Sequence, residues 1–141
     1  MKRYKFLREG LKSNSGNHTW EIGKWYKIEG DLNICRNGFH CSKEMWQAFS
    51  YVQGELLAEV ETRGESIVED DKEVWSEMRV IRVWKWQKND SVALSIFSAE
   101  LCLSNFEKVY PDDKRPREAI EAAKKWLDNP TKENESAARS A

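Results

Sequence analysis

The stretch Met78-Arg79-Val80-Ile81-Arg82-Val83-Trp84-Lys85-Trp86 decides the fold class. Its β-branched and aromatic content is that of a strand. Its two alternating faces, Met78/Val80/Trp84/Trp86 and Ile81/Val83, are both partly apolar, which places it centrally in a sheet. Just upstream, Leu56, Ala58 and Val60 alternate with Glu59 and Glu61, the pattern of a strand with one solvated face, and Arg63-Gly64 reads as a turn into Ser66-Ile67-Val68. Downstream the period changes. Asp90 reads as a cap, and Val92, Ile96, Ala99, Leu103 and Phe106 recur at helical spacing, predicting a helix of about four turns that ends at Tyr110-Pro111. Pro116 suits the first turn of a second helix burying Ile120, Ala123 and Trp126 or Leu127, and Asn129-Pro130 reads as cap and first turn of a short last one.

Further toward the N-terminus, Tyr4 and Phe6 alternate with basic residues in Arg3-Tyr4-Lys5-Phe6-Leu7-Arg8, the signature of an edge strand. Lys12-Ser13-Asn14-Ser15-Gly16-Asn17 is loop-forming. Trp25-Tyr26-Lys27-Ile28 and Leu32-Asn33-Ile34-Cys35 read as a hairpin joined by Glu29-Gly30-Asp31, and Asn37-Gly38 as a turn into the strand Phe39-His40-Cys41. Ser42 is then the expected N-cap of a helix whose buried stripe is Met45, Trp46, Phe49 and Val52, stopped by Gly54. The fold class that follows is α+β: a small, mostly antiparallel sheet with one packed helix over residues 1–89, and a C-terminal helical hairpin packed on it over residues 90–141.

Composition narrows the function. The 141 residues include seven Trp, most of which belong in or beside a core, and three Cys, an odd number that argues for free thiols in a reducing compartment. No apolar run is long enough to span a bilayer and no signal-peptide pattern opens the chain, so a cytoplasmic protein is expected. The net charge of −1 is unevenly spread: residues 1–54 carry nine basic and five acidic side chains, residues 55–77 two and nine, residues 78–141 twelve and ten. A strong nucleic-acid binder would show a basic surplus, and a duplex mimic would be acidic throughout. Neither fits the total.

Two stretches carry a resemblance. Leu32-Asn33-Ile34-Cys35-Arg36-Asn37-Gly38-Phe39-His40-Cys41, followed by Leu57-Ala58-Glu59-Val60 and Met78-Arg79-Val80, resembles an uncharacterised family common in bacteriophages and prophages, whose signature is a Cys, then Gly-Phe-His, then a second Cys. The tail from Phe106 to Ala123, with Tyr110-Pro111-Asp112-Asp113-Lys114-Arg115-Pro116-Arg117-Glu118-Ala119-Ile120 at its centre, resembles the Ala-rich segment of proteins described as immunity proteins in phage genomes. The usual tail runs on through further helices, whereas here it ends soon after Asn129-Pro130. The resemblance implies a phage or mobile-element context and brings no catalytic residues with it.

Four constellations invite a chemical reading. Cys35, His40 and Cys41, with His18 or Cys102, have the atoms of a zinc site but the wrong spacing, because adjacent strand residues face apart. The same geometry argues against a Cys41 nucleophile with His40 as base, so no catalytic residue, metal or cofactor is expected. Glu59-Val60-Glu61, after a Gly-Phe-His-Cys strand and a helix with Ala48 and Tyr51, is loosely similar to the acidic pair of the ADP-ribosyltransferase superfamily; alternation alone also explains it. Lys114, Arg115, Arg117 and Lys124, with Lys125, form a basic cluster at a helix start that suits phosphate, although Asp112, Asp113, Glu118 and Glu121 are interleaved with it.

The acidic block is the remaining candidate: Glu69, Asp70, Asp71 and Glu73 as a docking surface for a basic partner, with Trp75 as its anchor. The expected function is therefore that of a non-catalytic phage-type accessory protein acting by binding in the host cytoplasm, an inhibitor of a bacterial defence nuclease. Its partner would be a host protein or protein–nucleic-acid complex, with no membrane and direct nucleic-acid binding not favoured. An ADP-ribosyltransferase-like enzyme is the alternative, and a weak nucleic-acid binder the third reading.

Overall fold

The computed structural model describes residues 1–34 and 36–140, as two compact units, Met1–Trp86 and Gln87–Ala141. The fold is α+β with a mostly antiparallel five-stranded sheet and C-terminal helices. In the first unit the strands are β1 (Lys2–Leu7), β2 (Tyr26–Lys27), β3 (Phe39–Cys41), β4 (Leu56–Val68) and β5 (Glu73–Lys85), with one short helix, α1 (Met45–Ala48), running into a 3₁₀ turn at Phe49–Tyr51.

The long β4 and β5 ribbon organises this unit. β4 pairs with β5 along its length and with β1 on its other side, while β2 and β3 share the far edge of β5. β5 is thus central, as its two apolar faces require. It also begins earlier than the sequence pattern shows, at Glu73. Arg63-Gly64 does not turn the chain. The register slips between Arg63 and Ser66 and again between Glu59 and Val60, so β4 runs on through two irregularities. Gly64 permits the first with φ of 83°, and a side chain there would collide with Ser76. Such irregularities bend and twist a ribbon. Here the bend carries β3 round to β1, where Tyr4 and Ser42 exchange two backbone hydrogen bonds of 2.9 and 2.8 Å. The path β1, β4, β5, β3 therefore closes on itself through one bridge.

Closure puts a core inside the curved sheet and a second outside it. Leu7, Trp20, Cys41, Ala58, Val60, Trp75, Met78 and Val80 form the inner core, and Phe6, Ala48 and Leu57 the outer one, where Phe49 and Trp86 lie against Phe6. The alternation in β1 thus has no wet face. Phe6 packs outward, while Arg3 is buried beside Glu73 and Lys5 lies over the Trp20 ring, 5.1 Å from its centroid. Glu59 is likewise buried, not solvated, with Lys2 at 3.3 Å and Arg82 at 2.9 Å. The expected hairpin between Trp25-Ile28 and Leu32-Cys35 does not form: Tyr26 and Lys27 pair with β5, Asn33 and Asn37 form a bridge, and Cys35 lies outside the described residues.

The second unit holds α2 (Lys88–Val109), α3 (Arg115–Asp128) and α4 (Lys132–Ser140). α2 is longer than the expected four turns because Gln87 precedes it, its N–H donating to Asp90 Oδ2 at 2.7 Å; Asp90 is inside the first turn, not the cap. Arg117 pairs with Glu107 and Lys124 with Glu100, so α2 and α3 run antiparallel as a hairpin. Ile120 and Trp126 are buried as their spacing predicts. α4 starts from Thr131, whose Oγ1 accepts the Asn134 N–H, rather than from Asn129.

Candidate functional site

The Gly-Phe-His-Cys segment sits at the seam of the closed sheet. Gly38 has φ of 139°, and a side chain there would collide with Val74 and Leu32, so only glycine lets the turn lie against β5 and feed β3. β1 and β3 touch at Tyr4 and Ser42 and are otherwise unzipped, and beside that bridge lies a cavity of about 480 Å³. Lys5, Arg36, His40 and Lys72 line it together with Asn14 and Tyr51. Among the described residues no carboxylate lines it, in a chain with 24 Asp and Glu.

Burial governs the titration of this site. Removed from water without a carboxylate partner, the Lys5 ammonium has its pKa pushed down to about 8, slightly offset by the nearby Cys41 sulfur. Burial and the Lys5 charge both hold His18 and His40 below the usual histidine range. Burial pushes the Cys41 thiol up to about 12, so it is a packed thiol and not a nucleophile. His18 packs edge-on against Trp20 and Tyr26, with ring centroids 4.5 Å from each, and Lys5, His18, Trp20 and Phe39 make an aromatic and cationic wall.

The acidic block divides. Glu73 and Trp75, expected at a docking surface, lie inside the curved sheet at 3% and 6% exposure. One Glu73 oxygen accepts from Arg3 Nε at 2.5 Å and from Trp75 Nε1 at 2.7 Å, so the pair and the indole satisfy one another. Glu69, Asp70 and Asp71 remain exposed at the turn between β4 and β5. That turn is tied to the segment after β3: Gln47 Nε2 donates to the Asp70 carbonyl at 2.9 Å, and Tyr51 Oη to Asp71 Oδ2 at 2.5 Å.

This segment departs most from its sequence reading. Ser42 is spent on the bridge to β1. The helix starts instead after Glu44, whose N–H donates to Gln47 Oε1, and lasts one turn. Gln47 and Ala48 face inward, which leaves Trp46 outward at 70% exposure, with Met45 and Val52 also exposed. The exposed Trp46 was not separable in the sequence from the tryptophans that pack, since its outward position depends on where a one-turn helix begins.

Residues 1–91 match a family described as a domain of unknown function, DUF7666. The chain belongs to that family. The DUF7666 match covers the whole first unit, with its cavity and acidic turn, and only the start of α2. No curated protein and no solved structure gives a significant match.

Beyond the DUF7666 match lies the basic cluster of the second unit, in which Arg115, Arg117 and Lys124 are paired with carboxylates of the same unit. Arg115 is bidentate to Asp113, Arg117 is bidentate to Glu107 at 2.7 Å for both bonds, Lys124 meets Glu100 and Glu121, and Lys114 Nζ donates to the Pro111 carbonyl. The cations are thus brought together with their own acceptors. An apolar groove of about 700 Å³ between α2, α3 and α4 is lined chiefly by aliphatic side chains and Trp126. Within the DUF7666 region, Glu59 and Glu61 are each held by an arginine, Arg82 and Arg79, and neither lines the cavity. Among the described residues no group of three or more His, Cys, Asp and Glu is arranged to hold a metal, and no helix is long and apolar enough to cross a membrane.

Proposed function

We propose that the protein acts by binding a basic protein partner through the surface formed by Trp46 and the acidic turn at Glu69, Asp70 and Asp71. The observation that carries this reading is the exposed Trp46 on the helix whose Gln47 side chain grips that turn. An exposed Trp beside rim charges of one sign is the usual composition of a protein-binding hot spot: the indole supplies desolvated area and slows dissociation, and the acids steer a positive surface into encounter. Trp46 takes the anchoring role that the sequence pattern had assigned to Trp75.

The resemblance to a phage-borne family supports a context for that partner. Nucleic-acid-processing enzymes carry the basic grooves an acidic rim complements, so the protein is read as a non-catalytic phage accessory protein that inhibits a bacterial defence nuclease in the host cytoplasm. The test is photo-crosslinking from position 46 in host lysate, followed by assay of the captured protein. A captured nuclease that is inhibited by the parent protein and not by Trp46→Ala supports the reading. Capture of a protein that lacks a basic surface, or equal inhibition by the parent and Trp46→Ala, overturns it.

A further inference from the structure

We propose that the cavity at the seam between β1 and β3 is a binding site for a small phosphomonoester bearing hydroxyl groups, a nucleotide or a sugar phosphate. The argument is independent of the protein-docking surface and begins with charge. The cations Lys5, Arg36 and Lys72 converge, with the His40 imidazole, on one concave space that no carboxylate lines among the described residues. Cations elsewhere on the chain either pair with a carboxylate, as Arg117, Lys124 and Arg79 do, or are exposed, as Arg8 and Lys114 are. Lys5 is half-buried and does neither. No carboxylate lies within ion-pairing distance of its ammonium among the described residues, and the buried Glu73 is already committed to Arg3 and Trp75. A partly buried ammonium without a counter-charge destabilises the fold, and the anionic group of a bound ligand would offset that cost. Lys72 is shared with Glu69 at 3.2 Å, which makes it a rim charge.

Size and the remaining polar groups narrow the ligand. A space of about 480 Å³ is in the range of small-molecule sites, roughly 300–1,000 Å³, and far exceeds one phosphate group. Asn14 presents the complementary need: its Nδ2 donates to the Phe6 carbonyl at 3.1 Å, while its Oδ1 is buried with no donor. A buried acceptor left empty costs free energy, and a ligand hydroxyl or amine supplies its partner. The ligand therefore carries both an anionic group, for Lys5 and the rim cations, and a hydrogen-bond donor for Asn14. Phe39 and Tyr51 in the walls give flat surfaces suited to a sugar or base. Phosphate is preferred over a single carboxylate because several cations surround one space, and a dianion with three acceptor oxygens can meet more than one of them.

The test is titration of the full chain with AMP, ribose 5-phosphate, inorganic phosphate and adenosine, followed by tryptophan fluorescence, since the Trp20 ring lies under Lys5, and by thermal melting. Saturable binding of AMP or ribose 5-phosphate, tighter than that of inorganic phosphate and absent for adenosine, is expected. Equal affinity for AMP and ribose 5-phosphate identifies a sugar phosphate as the ligand, and tighter AMP binding a nucleotide. Lys5→Met should weaken the phosphorylated compounds by about tenfold or more, the effect of one lost charge-assisted contact, without lowering the melting temperature. Arg36→Gln, at the exposed rim and harmless to folding, should weaken them in the same direction, and Lys132→Met in the second unit should leave them unchanged. The proposal is overturned if millimolar AMP, ribose 5-phosphate and phosphate all leave fluorescence and melting unmoved. It is equally overturned if adenosine binds as well as AMP, or if Lys5→Met and Arg36→Gln both bind like the parent.

Discussion

Replacing Lys5 by methionine should make the protein more stable at neutral pH, because the native fold holds that ammonium at a cost. The fall of its pKa from 10.5 to about 8, at about 1.4 kcal/mol per pKa unit, disfavours the charged form by on the order of 3 kcal/mol. Methionine keeps an unbranched apolar stem over the Trp20 ring and removes the charge, so little packing is lost. The sign follows from proton counting. Below pH 8 lysine is protonated in both states, and the full penalty is present. Between about pH 8 and 10.4 the unfolded chain holds a proton that the native state has shed, so parental stability rises with pH; above that range the penalty is gone. The buried Cys41 thiol works in the opposite direction at alkaline pH, but it is present in both proteins and largely cancels in their difference. Urea melts of parent and variant at several values from pH 7 to pH 10 measure it. The variant should lead by about 1–3 kcal/mol at neutral pH, allowing for imperfect packing, and the gap should narrow toward pH 10. A less stable variant at pH 7, or a gap independent of pH, would refute the assignment of Lys5 as a buried, unpaired cation.

Trp75, expected as an exposed anchor, and Trp46, expected in a buried stripe, exchange places in the structure and should behave accordingly. Trp75→Ala should cost about 3–5 kcal/mol in denaturant unfolding, whereas Trp46→Ala should change stability by less than about 0.5 kcal/mol, as surface substitutions do. Glu73→Gln strands the buried Arg3 guanidinium and should destabilise by about 3–5 kcal/mol, read as a fall in the urea midpoint with unchanged slope. In peptide-resolved alkylation of the native protein, the exposed Cys102 should react well before Cys41, whose raised pKa and burial protect it. Ile120→Ala should lower stability by about 2–5 kcal/mol; a change under about 0.5 kcal/mol would contradict its burial between the helices of the second unit.

What the sequence disclosed was whatever depends on nearest neighbours. β5 carries its burial on both faces, Asn37-Gly38 its turn, and Pro116 its place in the first turn of α3, so each could be read from adjacent residues. What stayed hidden depends on closure of the sheet. Arg3 and Lys5 look like the wet side of an edge strand until a ribbon irregular at Gly64 carries β3 round to cover them. Glu73 and Trp75 look like part of an exposed acidic run until Arg3, distant in sequence, is brought to the same carboxylate. Ser42 has the chemistry of a cap, but its backbone is taken by Tyr4, and the helix start moves to Glu44. The cavity was invisible for the same reason, since Lys5, Asn14, Arg36, His40 and Lys72 share no motif and meet only because β1 and β3 do. The acidic run was legible as charge and not as geometry: three of its members face solvent and one is in the core.

Joining β1 to β3 also bears on self-association. An open sheet of this kind would offer a row of unpaired amides to other copies, the template for edge-to-edge aggregation. Here the outer side of β1 is occupied by Ser42 and, two residues on, by the Asn14 side chain at the Phe6 carbonyl, while the flank of β5 beyond β3 is capped by the two-residue β2. Removing β1 would uncover β4 from Leu56 to Glu61, an apolar strand with its hydrogen-bonding groups unspent. A version of the domain trimmed by those few N-terminal residues is therefore expected to precipitate or form oligomers rather than merely to lose stability, because the pairing of β1 along β4 is what keeps that adhesive edge out of reach.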